Sequence, residues 1–111
     1  MSITSEKDLE SLRRIGRVVA RCLQHMQAKL EPGITTRELD EFGGKFLELH
    51  GARSAPKLAY NFPGFTCISV NEEAAHGIPG QRILKAGDLV NIDVSAELDG
   101  YFADTGGSAI I

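Results

Sequence analysis

Apolar residues recur at steps of three and four early in the chain: Leu9, Leu12, Ile15, Val19, Cys22, Leu23, Met26 and Leu30. A single stripe at that period predicts an amphipathic helix. Ser5 stands where an N-cap belongs, with Asp8 three positions on in a variant of the capping box. Glu31-Pro32-Gly33 stops the helix, because proline cannot continue the hydrogen-bond ladder and glycine accepts a left-handed turn. A second helix follows at once. Thr35 and Glu38 form a capping box, Leu39, Phe42, Phe46 and Leu49 supply the buried face, and Gly51 is placed to end it.

The pattern then changes. Residues 52–65 carry two prolines and a glycine, and Tyr60-Asn61-Phe62-Pro63-Gly64 reads as a loop. Thr66 to Val70 predicts one short strand and Leu89 to Ala96 another. Tyr101 to Ile111 predicts a third, interrupted by Gly106-Gly107. Two helices followed by antiparallel strands predict an α+β domain with the helices on one face of the sheet.

Asp99-Gly100 is a strong tight-turn signal, since both central positions of a type I′ turn need positive φ. A two-residue hairpin there pairs Leu98 with Tyr101, Ser95 with Asp104 and Asp93 with Gly106. Asp93 and Asp104 then share one face as diagonal neighbours, about 7–8 Å apart at the backbone. Ile92, Val94, Ala96, Leu98, Tyr101 and Ala103 fall on the other face, toward the core. The pattern leaves two readings open. A polar sheet face often simply meets water. Yet aspartate is disfavoured in strands, and two like charges on neighbouring strands repel unless a cation lies between them. A divalent metal resolves that conflict, and carboxylates favour hard cations.

Composition narrows the classes. The chain has 111 residues, enough for a single domain, with 42% hydrophobic and 24% charged residues and a net charge of −3. The run Arg13, Arg14, Arg17 and Arg21 reads as the wet face of the first helix, so no nucleic-acid partner is expected. The N-terminus has no secretory apolar core and no apolar run reaches membrane-spanning length, which predicts no membrane association and a cytoplasmic protein. Cys22 and Cys67 read as buried thiols rather than a disulfide or zinc framework. His76 lies in the small-residue loop Ala74-Ala75-His76-Gly77-Ile78-Pro79-Gly80, where backbone approaches a ligand closely; a hydrogen-bonded loop histidine fits the same pattern.

The stretch from Cys67 through Asn71 and His76 to Gly80, followed by Gly87-Asp88-Leu89-Val90-Asn91-Ile92-Asp93 and Asp99-Gly100-Tyr101-Phe102-Ala103-Asp104-Thr105, resembles the type I methionine aminopeptidases. The resemblance also takes in both helices and Pro32-Gly33-Ile34-Thr35, and so covers essentially the whole chain. It implies a cytosolic enzyme that removes the initiator methionine from peptides and nascent polypeptides. The implied architecture is a pita-bread α+β fold with two pseudo-symmetric halves around two divalent metal ions (cobalt, manganese, iron or zinc). By position, Asp93 matches the aspartate that chelates one metal and Asp104 the aspartate that bridges both. His76 matches the catalytic histidine that contacts the substrate near the scissile bond. Tyr60, Phe62 and Cys67 are the candidates for the methionine pocket, although Pro56 and Ala59 stand where many members carry other pocket residues.

The family draws its remaining ligands, a histidine and two glutamates, from the second half of its chain, and this sequence ends at Ile111 before any of them. Residues 1–111 are therefore expected to form the N-terminal half of the domain. Alone, that half should bind metal weakly, hydrolyse little, and self-associate through an exposed sheet edge. Two rivals belong to other classes. A non-catalytic binding module would share the fold but has no need of two strand aspartates. A phosphoryl-transfer site would call for a phosphate-cradling glycine loop at a helix start, which is missing here.

Overall fold

The computed structural model describes residues 5–71 and 77–111, with the Tyr60 side chain outside the described set. The elements are α1 (Glu6–Ala28), α2 (Thr36–Leu49), β1 (Arg53–Ser54), α3 (Ala55–Tyr60), β2 (Cys67–Val70), β3 (Leu89–Leu98) and β4 (Tyr101–Ile110). No described helix is long and apolar enough to cross a membrane.

The helix ends form as their residues dictate. Ser5 Oγ accepts the Asp8 N–H at 3.2 Å, and the Asp8 carboxylate accepts the Tyr101 hydroxyl, tying the start of α1 to the hairpin. Thr35 and Glu38 form the full capping box, each side chain accepting the other's backbone N–H. At the far end of α2, Gly51 takes φ +75°. Its N–H reaches Glu48 O and the Ala52 N–H reaches Leu47 O, which together make a Schellman motif.

Two expectations need correction here. The buried face of α2 is Thr36, Leu39, Asp40, Gly43, Gly44 and Leu47, while Leu49 is 77% exposed. The glycines turn that face inward. A Cβ on Gly43 would stand 2.4 Å from Met26 Sδ, and one on Gly44 would stand 2.4 Å from the Phe65 ring. The space is used by neighbours, and Phe42 and Phe46 are left partly buried at the margin of the core. The second correction concerns the number of helices, because residues 52–65 hold more than the loop expected at 60–64. They begin with β1 and the short α3, capped by Ser54 Oγ accepting the Lys57 N–H at 3.4 Å. Three helices, rather than two, therefore pack with the sheet.

β3 is the central strand of an antiparallel sheet. β4 pairs along one edge for its whole length, and β2 and β1 share the other edge. Ile92, Val94, Ala96 and Leu98 point into the core with Ile68, Val70, Leu84 and Val90, and α1 covers them with Ile15, Val19, Cys22 and Met26. Each fully buried aliphatic side chain contributes about 1.5–3 kcal/mol of burial. Tyr101 and Ala103 pack against this core, as the alternation predicts. Gly106 and Gly107 do not interrupt β4. A Cβ on Gly107 would stand 3.1 Å from Gln27 Nε2, so that glycine lets α1 approach the sheet, while Gly106 serves the opposite face.

Candidate metal centre

The hairpin places the two carboxylates. Asp99 (φ +54°) and Gly100 (φ +86°) both occupy the left-handed region that a type I′ turn requires. The register is Leu98 with Tyr101, Ser95 with Asp104 and Asp93 with Gly106. Asp93 and Asp104 are consequently diagonal neighbours on the face turned away from the core. Cys67 pairs with Asp93 from the other side of β3, so Cys67, Asp93 and Asp104 share that face.

Asp93 is held by residues that the motif reading passed over. Ser108 Oγ donates to Asn91 Oδ1 at 2.9 Å, and Asn91 Nδ2 donates to Asp93 Oδ2 at 2.9 Å. The other carboxylate oxygen lies over Gly106, where a Cβ would stand only 2.1 Å from Oδ1. Strand register was the signal available. Asn91 lies two residues before Asp93 on the same face, and Ser108 is its cross-strand partner.

Cys67 is half-buried rather than buried, and its thiol is pushed up first by burial and then by the negative charges of Asp93 and Asp40. Cys22 is fully buried among core side chains, with its thiol pushed up to about 12 by burial and by Asp40. Phe62 is half-buried in the segment that joins α3 to β2. His76 lies outside the described residues, and so does the Tyr60 side chain. Gly77, the residue after His76, packs against β2. Its carbonyl accepts the Ile68 N–H at 3.1 Å, and a Cβ on it would meet Ile68 O at 2.0 Å.

Asp40 anchors the approach to β2. This buried carboxylate on α2 accepts the Phe65 N–H at 3.0 Å, the Thr66 N–H at 2.7 Å and the Thr66 hydroxyl at 2.6 Å. Burial raises its pKa above the usual aspartate range, against the lowering effect of those hydrogen bonds. Glu97, at the hairpin end of the site face, is also buried. Its carboxylate accepts the Gly100 N–H and the Arg53 guanidinium, which together lower its pKa.

The donor set suits a hard divalent cation. It offers two carboxylates on one rigid hairpin, one of them oriented by an amide and given room by a glycine. Among the described residues, no group of three His, Cys, Asp or Glu comes together to hold a metal, so the two aspartates do not by themselves complete such a site.

The model of metallopeptidase family M24 matches residues 10–111. Methionine aminopeptidase 2 of Bacillus subtilis is 54% identical over 112 residues, a match covering all of this chain and 45% of that protein. The crystal structure of methionine aminopeptidase from Rickettsia prowazekii superposes with a TM-score of 0.90 at 38% identity, covering 99% of this chain and 44% of that one. The Thermotoga maritima methionine aminopeptidase superposes at 0.93 with 28% identity, covering 100% and 45%. The chain thus spans under half the length of each of these three relatives. Its α+β fold, three helices on a four-stranded antiparallel sheet, corresponds to that share of their pita-bread architecture.

Proposed function

The chain belongs to metallopeptidase family M24, and from this we infer that it serves a metal-dependent aminopeptidase of the type I methionine aminopeptidase kind. The substrate class is peptides and nascent polypeptides with N-terminal methionine. The observation that carries the reading is the placement of Asp93 and Asp104 on one sheet face by a type I′ hairpin.

Asp93 and Asp104 would hold the metal. A divalent ion bound there supplies a low-pKa water and a Lewis acid for the scissile carbonyl; cobalt, manganese, iron and zinc all suit mixed carboxylate sites. The chain's own residues do the positioning. Asn91 holds one Asp93 oxygen, and Gly106 leaves room for the other. His76 is assigned to the substrate near the scissile bond. Cys67, with Phe62 and Tyr60, is assigned to the methionine side chain, where apolar walls exclude water. Two carboxylates without further ligands hold metal weakly, so slow or negligible release of methionine from Met-Ala-Ser is expected of the described ligand set alone.

Paramagnetic broadening by Mn²⁺ in amide NMR spectra tests this reading. Broadening should centre on Asp93 and Asp104 and disappear in Asp104→Asn with the fold intact. Broadening centred elsewhere, or unchanged in Asp104→Asn, rules the reading out.

A further inference from the structure

An apolar pocket of about 270 Å³ opens between α2 and α3, walled by Gly44, Leu47, Ala52, Leu58 and Phe65. Leu47 and Ala52 belong to the core, on the face of the sheet that the long helices cover. Asp93, Asp104 and Cys67 lie on the opposite face, and none of them lines this pocket. Small residues make the space. Gly44 presents no side chain, and the Phe65 ring lies over it, where a Cβ would stand 2.4 Å from Cδ2. Ala52 is turned back on Leu47 by the hydrogen bond from its N–H to Leu47 O. Phe65 is held from two sides, since Ser54 Oγ donates to its carbonyl at 2.7 Å and Asp40 accepts its N–H at 3.0 Å. The aromatic wall is therefore preformed, as ligand pockets commonly are.

Two opposite charges border the pocket. Lys57 Nζ lies 4.6 Å from the centroid of the Phe65 ring, and Glu48 lines the α2 side. Arg53, the other basic residue of the lining, is taken by Glu97 at 2.7 Å. Among the described residues, neither Lys57 nor Glu48 is in an ion pair. Size and polarity then select the ligand. An apolar cavity of about 150 Å³ suffices for benzene, whereas drug-sized ligands take about 300–1,000 Å³. This pocket falls between the two, which suits a small aliphatic molecule with one or two polar groups. An apolar interior with one cation and one anion beside it matches an α-amino acid, whose carboxylate and ammonium are joined through a single carbon.

We propose that this pocket binds a free α-amino acid with an apolar side chain. Its carboxylate meets Lys57 Nζ, its ammonium meets the Glu48 carboxylate, and its side chain enters among Leu47, Ala52, Leu58 and Phe65. The site goes beyond the aminopeptidase reading and does not depend on it. Both ionic contacts are exposed and each contributes little, so apolar burial sets the affinity while the charges set the choice of ligand.

Amide NMR titrations of the whole chain at about pH 6.5, where an α-amino group is protonated, test the site with L-leucine, glycine, L-leucinamide and N-acetyl-L-leucine. L-Leucine should give saturable shifts at Gly44, Leu47, Leu58 and Phe65, and glycine should leave those resonances unmoved. L-Leucinamide lacks the carboxylate and N-acetyl-L-leucine lacks the ammonium, so each should bind about two- to fivefold more weakly, the loss of one exposed ionic contact. Lys57→Gln should erase only the difference between L-leucine and L-leucinamide, and Glu48→Gln only that between L-leucine and N-acetyl-L-leucine. Both side chains are exposed, so both variants should keep the fold. Shifts centred on Cys67, Asp93 and Asp104 would put the ligand on the metal face and overturn the proposal. Equal shifts with glycine, equal binding of the three leucine compounds, or no saturable shift at all would overturn it too.

Discussion

The Asp93 carboxylate occupies the space that a side chain on Gly106 would fill: a Cβ there would stand 2.1 Å from Asp93 Oδ1. The two residues are cross-strand partners, so this closeness is set by the hairpin register and not by a flexible loop.

Gly106→Ala should therefore move the Asp93 carboxylate off its seat and away from Asn91 Nδ2. The strand itself should persist, because Gly106 lies in regular β4 without a positive φ. Mn²⁺ affinity, read from relaxation enhancement, should fall about tenfold or more, as it does when groups that orient a ligand are disturbed. Unchanged affinity would mean that Asp93 does not hold metal in this orientation.

Gly44→Ala tests the helix–loop contact. Alanine is the better helix former, but its Cβ would stand 2.4 Å from the Phe65 ring, a rigid group with Lys57 Nζ 4.6 Å from its centroid. Overpacking of this kind costs about 1–3 kcal/mol, more than the propensity gain. Urea denaturation should show net destabilisation. A more stable variant would mean that the ring moves aside freely.

Asp40 makes a pH prediction. Burial raises its pKa in the fold, so between the usual aspartate range and that raised value the folded state binds more protons than the unfolded one. Stability from this group is full at low pH and is lost as pH rises through the folded pKa. Asp40→Asn abolishes the slope. The difference in urea midpoint between wild type and Asp40→Asn should move against the wild type as pH rises, then level off.

Glu97 should act with the opposite sign. The Gly100 N–H, then Arg53, lower its pKa, so the unfolded state binds more protons in the window below the usual glutamate range. Its contribution is present above that range and is lost as pH falls through the folded pKa. As pH falls through and below the usual glutamate range, the wild type should lose its advantage over Glu97→Gln; a difference independent of pH would contradict the assignment.

Much of this is legible in the sequence. The capping box at Thr35 and Glu38, the helix end at Gly51 and the turn at Asp99-Gly100 are local, because each depends on the conformational preferences of one to four neighbouring residues. Once that turn is set, strand alternation dictates which residues face the core, and Asp93 and Asp104 fall together on the other side. The buried face of α2 is not legible in the sequence, because Gly43 and Gly44 carry no hydrophobic signal. Their importance lies in what approaches them, and Met26 and Phe65 come from elsewhere in the chain.

The sequence by itself determined the helix ends, the hairpin register and the pairing of two aspartates, together with the family motif they belong to. Tertiary structure alone decided that Asp40 bridges to residues 65 and 66, that Asn91 and Ser108 orient Asp93, that the two adjacent glycines of β4 serve opposite faces, and that Leu58 and Phe65 wall an apolar pocket. The division is physical. Local preferences act through neighbouring residues and can be read in order along the chain, whereas these contacts join positions far apart in sequence and exist only once the sheet and helices have closed on one another.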